Sequence, residues 1–332
     1  MKLSKLIPYL DKFKLLDLLV KLNVKDSVLL VITYHEVGKS VYYDEGVPTR
    51  LLENEIKYLL KLQFRILPLC EALEVIRKEP NKPHRIAVLT FDDAYKGVYE
   101  NALPIMLKYS IRGTIYPVAG FMERCIAHWA SQIGFVIKNI RMPSIIRINA
   151  LNKTFVINNE HDKNTVLSYL LNILPKLDFN EINMIVHELS ECINDSSKRT
   201  MQRLYEEIMM NSDQLREMSE LGFEVGGHSY WHLGLTNISK ESLYQEIKNS
   251  LNFVNKFMNN STCKIRTFAY PYGLYNNEVI NVLKEIGFHA AVTMAPVINK
   301  IAELKQYEIG RIPPYRFGIV SLSTFKAQLI RT

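Results

Sequence analysis

Four short clusters in this chain carry side chains that hydrolytic chemistry needs: Tyr34-His35-Glu36, Asp92-Asp93, His228 with His232, and Tyr270-Pro271-Tyr272-Gly273. Adjacent aspartates at a strand end point in different directions, so one can ligate a cation while the other serves as a base beside it. Taken alone, an Asp-Asp pair is as readily a solvated turn or a helix cap. His228 and His232 follow Gly226-Gly227, and a three-residue gap brings both imidazoles to one side where the chain turns helically. Two neutral imidazoles and one carboxylate leave coordination positions open, as in a hydrolytic metal site and unlike a closed structural one. His84, His128, His161, His187 and His289 read as ordinary core or surface residues.

The elements that must position these groups are strands alternating with helices. Apolar, β-branched runs predict strands at residues 28–33, 86–90, 113–118, 223–227, 265–270, 289–293 and 308–312. Helical periodicity predicts helices over 50–61, 71–78, 97–109, 212–221, 240–258 and 277–286. Each cluster then falls just after a strand. In parallel α/β folds the carboxyl ends of the strands share one face, so groups some two hundred positions apart converge there. Periodicity leaves open whether seven such strands close into a barrel or form an open sheet. The interval from Phe121 to Asn211 is too long for a bare loop and is expected to be a largely helical insertion, at about 122–211.

The bulk properties narrow the class. The chain has 332 residues, of which 48% are hydrophobic and 23% charged, an ordinary globular composition. A net charge of +7 comes with no zinc-finger spacing and no ribonucleoprotein motif, so no nucleic-acid partner is expected. Cys70, Cys125, Cys192 and Cys263 are scattered without a CxxC pair, which suits a reducing compartment. Residues 1–25 repeat leucines at helical spacing among lysines and are expected to form an amphipathic helix packed on the main domain. Peripheral contact of residues 2–25 with an anionic membrane face is the alternative. No secretory signal is evident, so a cytoplasmic location, with the inner membrane face as a variant, is expected.

Thr90-Phe91-Asp92-Asp93, then His228-Ser229-x-x-His232, then Tyr270-Pro271-Tyr272-Gly273 resembles, in this order, the polysaccharide deacetylase family with its NodB homology domain. The resemblance spans roughly Val28–Phe317 apart from the insertion. It implies an α/β fold, a distorted (β/α)7 barrel of the NodB type, over residues 26–320, with 321–332 left as a C-terminal tail. It also implies hydrolysis of the acetamide of an N-acetylhexosamine in a glycan. Asp92 would be the base, and Asp93, His228 and His232 would bind zinc or another divalent cation such as cobalt or nickel. The amide of Tyr272 would face the developing oxyanion. Two departures stand out. The arginine that commonly opens the third motif is Ala269 here, so Arg266 or, preferably, Arg311 would hold Asp92. The usual C-terminal Leu-x-His is missing, and Tyr34-His35 is similar to the circularly permuted branch, which makes His35 the acid. Tyr34, Tyr95, Tyr230, Trp231 and Tyr272 stand near enough to stack on a sugar, although ordinary packing is the expectation for each. Competing readings keep the fold but cleave another amide or an O-acetyl ester, or bind carbohydrate without catalysis.

Overall fold

The computed structural model describes residues 7, 11, 12, 14–24, 27–44, 46–258, 263–314 and 321–331. Its centre is a ring of parallel strands. β1 (Val28–Tyr34) is buried along its whole length, as an apolar strand covered on both faces must be. After α2 (Thr49–Lys61), β2 (Arg65–Ile66) and α3 (Leu69–Lys78), β3 (Arg85–Asp92) pairs with β1 in parallel from Val28 opposite Arg85 to Tyr34 opposite Phe91. The other edge of β3 is shared, with β2 beside its start and β4 (Thr114–Tyr116) beside its end. β4 continues to β7 (Glu224–Val225).

Beyond β7 the ring is held by single bridges where full ladders would otherwise run. Gly227 pairs with Phe268 of β8 (Thr267–Ala269), which pairs with β9 (Ala290–Val292). Val292 then meets Ile309, and Ile312 returns beside Ile32 of β1, accepting from the Thr33 amide at 3.0 Å and donating to the Val31 carbonyl at 2.8 Å. These seven segments close a distorted (β/α)7 barrel, which settles the choice that periodicity left open.

Alternate residues of these strands separate the core. Leu29, Val31, Ile86, Val88, Tyr116, Ala269, Val292 and Ile309 pack together in the barrel interior. Leu30, Ile32, Ala87, Leu89 and Phe91 face outward, onto Leu52, Ile56 and Leu59 of α2 and Phe325 and Leu329 of α14 (Leu322–Arg331). Residues expected as a C-terminal tail are therefore a helix in the core. α14 also holds α1 (Leu15–Asn23), whose Leu16 and Val20 are buried, and Lys326 pairs with Asp11 at 2.7 Å and Asp17 at 2.9 Å. Much of the helix expected over residues 1–25 lies outside the described residues.

The chain passes through α4 (Leu103–Lys108) before β4, and the insertion leaves the barrel after α5 (Ala119–Arg124). It comprises α6 (Trp129–Asn139), a hairpin of β5 (Ser144–Ile148) and β6 (Lys153–Ile157), α7 (Glu160–Ile173), α8 (Phe179–Ser190), α9 (Asp195–Gln202) and α10 (Leu204–Ile208). It is largely helical, with a hairpin the periodicity did not predict. Ile146, Ile148 and Ile157 point inward while Ile145 and Val156 are exposed, a period of two too short to stand out between helical runs. α7 and α8 begin ahead of their apolar runs because Asn159 and Asp178 cap them, Asp178 in a capping box with Glu181. α11 (Ser212–Glu220), α12 (Lys240–Asn255) and α13 (Asn277–Ile286) complete the outer layer.

Candidate active site

β3 ends at Asp92, and the next two residues take left-handed backbone, with φ of 67° at Asp93 and 56° at Ala94. This turn sends the two carboxylates to different partners. Arg311, fully buried, meets Asp92 with both ends of its fork, Nη1 to Oδ1 at 2.7 Å and Nη2 to Oδ2 at 2.8 Å. Its Nε donates to the Thr293 carbonyl at 3.1 Å, so the guanidinium is fixed in plane. Burial alone would raise the Asp92 pKa. Arg311, with His228 and His35 adding to it, outweighs that and holds the carboxyl below the usual carboxylate range. Arg266, the other arginine considered, bonds Asn255 at 3.0 Å on the outside of the barrel.

Asp93 Oδ1 instead looks into a ring of imidazoles, with Nε2 of His228 at 3.6 Å and Nε2 of His232 at 3.7 Å. His228 Nδ1 lies 2.7 Å from the Ala269 carbonyl. A carbonyl can only accept, so the proton sits on Nδ1 and the Nε2 lone pair faces Asp93. His232 reaches the same point through left-handed backbone at Ser229 and His232, φ 60° and 56°, braced by a His232 N–H to Ser229 Oγ bond of 2.8 Å. Glu246 of α12 fixes the intervening loop by accepting from the Tyr230 and Trp231 amides at 3.0 and 2.8 Å. Positive φ at Asp93, Ala94, Ser229, His232 and Tyr272 places much of the chain's backbone strain in this one site.

The donor atoms of Asp93, His228 and His232 all lie within 4.8 Å of one another. Asp93 Oδ1 is buried with no hydrogen-bond partner among the described residues. An orphaned carboxylate oxygen facing imidazole lone pairs fits a divalent cation in chemistry and in spacing.

These groups line a cavity of about 340 Å³ together with His35, Tyr272 and Arg311, so all seven site residues named from the sequence meet in one place. His35 is half-buried just past β1. Its neighbour Glu36 anchors that turn by accepting from the Val37 and Gly97 amides at 2.6 and 3.2 Å. A Cβ on Gly97 would fall 1.6 Å from the Glu36 carboxylate, so only glycine fits there. The Tyr272 ring packs edge-on against His232, at 4.5 Å, and burial, with Asp93 adding to it, raises the phenol's pKa. Of the five aromatics considered for sugar stacking, Tyr272 alone lines the cavity. Trp231 packs into the insertion against Trp129 and Phe179, and Tyr34 stacks on Phe91.

Sequence reasoning missed three participants. His128, read as ordinary, is in the site, its Nε2 also 3.7 Å from Asp93 Oδ1. Tyr43 lines the cavity, its hydroxyl 3.5 Å from Asp93 Oδ2 and bonded to Tyr95 at 3.1 Å. Glu246 is the third. None stands directly at the end of a barrel strand, Tyr43 lying further along the loop after β1, so the strand-end signal that found the others was silent. The insertion supplies His128 and Ala130 from α6 and Leu171 and Leu174 from the α7 end of the cavity wall.

Fold and site together define a parallel (β/α) barrel with an ion-paired aspartate beside an Asp-His-His cluster that could hold a metal ion, at the carboxyl ends of its strands. The chain belongs to the polysaccharide deacetylase family, whose sequence profile matches residues 79–147 and 153–291. It is 19% identical over 274 residues to the putative polysaccharide deacetylase YxkH of Bacillus subtilis, covering 82% of this chain and 66% of that protein. It is 24% identical over 284 residues to the poly-beta-1,6-N-acetyl-D-glucosamine N-deacetylase of Staphylococcus aureus, covering 80% and 72%. Among solved structures, the Streptococcus pyogenes deacetylase PplD superposes with a TM-score of 0.57 at 16% identity, covering 93% of this chain and all of that one. IcaB from Ammonifex degensii gives 0.57 at 17%, covering 90% and 97%.

Proposed function

We propose that the protein is a metal-dependent deacetylase that removes the N-acetyl group from N-acetylhexosamine units of a glycan or glycoconjugate. The observation that carries this is the pairing of two adjacent carboxylates with opposite environments: Asp92 locked as an anion by Arg311, and Asp93 left open towards His228 and His232. A zinc or similar divalent cation held by Asp93, His228 and His232 would supply the Lewis acidity that activates water and polarises the acetyl carbonyl.

The chain's own groups supply the rest. Asp92 accepts the proton of the attacking water. Arg311 keeps that carboxylate oriented, and Thr293 keeps Arg311 in plane. The amide of Tyr272, a residue that lines the cavity, donates to the carbonyl oxygen as charge develops there. His35, which also lines the cavity, gives a proton to the amine nitrogen as the C–N bond breaks. Water and amide thus become acetate and a free amino sugar. Leu171, Leu174 and Met294 give the cavity apolar wall suited to an acetyl methyl.

The name of the Staphylococcus aureus relative supports an N-acetylglucosamine polymer as the substrate class. The test is acetate release from β-1,6-linked N-acetylglucosamine oligomers set against an O-acetylated sugar of equal length. Release from the amide substrates is expected. Release from the ester alone would replace this reading with an esterase on the same fold.

We also propose that the protein works at an anionic membrane surface. Among the described residues no helix is long and apolar enough to cross a membrane. Leu15, Leu18, Leu19 and Leu22 of α1 nevertheless form an exposed stripe, 40–66% accessible, next to exposed Lys12, Lys14 and Lys21. The acidic residues in and just ahead of this helix, Asp17 and Asp11, are occupied by Lys326, so its outward charge is basic, as an interfacial helix requires. Co-sedimentation with vesicles containing phosphatidylglycerol, lost in a Leu18→Ser, Leu22→Ser variant and absent with neutral vesicles, is the expected result. Equal recovery of both proteins with the vesicles would contradict it.

A further inference from the structure

His128 is not a barrel residue; the insertion carries it in, as the N-cap of α6. Its ring is almost fully buried yet borders the cavity, with Nε2 as close to Asp93 Oδ1 as that of His232. Phe121 meets it edge-on at 5.2 Å, Tyr43 stacks at 6.1 Å and His232 lies at 4.6 Å, so the ring is held in one orientation.

The ring's own hydrogen bond then fixes what it presents. Nδ1 accepts the Ala130 amide proton at 3.1 Å, so the proton of the neutral ring resides on Nε2. His228 is the reverse, with its proton on Nδ1 towards a carbonyl and a lone pair on Nε2. Three imidazoles therefore surround Asp93, but His228 offers a lone pair and His128 offers an N–H. That N–H has no partner among the described residues, and Asp93 Oδ1, at 3.7 Å, is beyond hydrogen-bond reach. A buried donor aimed into a cavity awaits an acceptor brought by the ligand.

We propose that His128 is a catalytic residue that binds the acetyl oxygen of the substrate, and an oxygen of the acetate product, through Nε2–H. It is a second donor beside the Tyr272 amide, both residues lining the same cavity, and it makes the insertion part of the active site. The proposal rests on the deacetylase reading for the identity of the oxygen, but not for the donor itself.

The test uses the zinc-loaded full chain with selective 15N labelling of histidine. The wild type should show His128 protonated at Nε2 and His228 at Nδ1, with the His128 signal shifting on titration with acetate. His128→Ala and His128→Gln should both retain stoichiometric zinc. Acetate affinity should fall about tenfold in the alanine variant and recover in part in the glutamine variant, whose amide N–H replaces the donor. On an N-acetylglucosamine oligomer, kcat should fall about 100-fold in His128→Ala, with KM changed little. A His128 proton on Nδ1 in the zinc-loaded protein, or loss of zinc in His128→Ala, would make it a cation ligand and overturn the proposal. Unchanged acetate affinity with zinc retained would reduce it to a structural cap and overturn it equally. Acetate binding that follows these expectations in a wild type that releases no acetate would sink the deacetylase reading and leave the donor standing.

Discussion

Replacing Arg311 with methionine leaves the Asp92 carboxylate buried without its partner, and the cost should be large. Breaking one side of a buried ion pair typically costs about 3–5 kcal/mol, which chemical denaturation of Arg311→Met against wild type would read directly. Asp92→Asn, Arg311→Met together should recover part of that loss, because the stranded charge is gone; a double variant less stable than the single one would refute the pairing argument. At this scale the sequence was informative wherever a functional group ended a barrel strand. Asp92, Asp93, His228 and Tyr272 could be placed by that rule, and Arg311 entered because Ala269 stood where an arginine was needed. The structure adds that Ala269 contributes its carbonyl, which fixes the tautomer of His228. His128 gave no signal, since its placement depends on how the insertion folds back over the barrel, and Tyr43 gave none because it lies well past the end of β1 in the loop before α2.

Among the elements, α12 has the least visible role and a direct one. Glu246 leaves it to accept two amides of the loop between His228 and His232, which a helical periodicity alone would read as a polar interruption. Burial raises this carboxyl to about 7, against the pull of the two amides. Glu246→Ala orphans both N–H groups, so stability should drop by about 2 kcal/mol or more. Zinc affinity should fall about 10–100-fold, as when a group orienting a ligand is removed. Competition with a chromogenic chelator measures this, and an unchanged affinity would show that the loop holds its shape without α12. The helices of the barrel were legible from their apolar period because each packs one face on the sheet. The hairpin β5–β6 and helix α14 were not. The first has only three buried side chains, and the second is separated from its barrel partners by most of the chain.

For the whole molecule, the seven strands were readable from composition, but closure was not, because it depends on single bridges at Gly227, Ile309 and Ile312. The buried carboxylates behind those strands make stability depend on pH. Glu55 of α2, covered completely and bonded to the Tyr34 hydroxyl at 2.7 Å, is pushed up to about 8 by burial. The folded chain therefore keeps a proton that the unfolded chain loses near pH 4.5. Stability should fall as pH rises from about 4.5 towards about 8 and level off above that, with this group contributing at most ~1.4 kcal/mol per pH unit. The thermal midpoint of Glu55→Gln should decline less steeply across that window, and parallel profiles for both proteins would contradict the assignment.

The measurement that bears most directly on the central claim is acetate release from an N-acetylglucosamine oligomer by protein stripped with EDTA and then reloaded with zinc or cobalt, beside Asp92→Asn treated alike. Activity should vanish on stripping and return with metal. Asp92→Asn should bind metal as wild type does and release acetate about 10²–10⁴-fold more slowly. Acetate release that survives stripping, or an Asp92→Asn variant as active as wild type, would contradict the account.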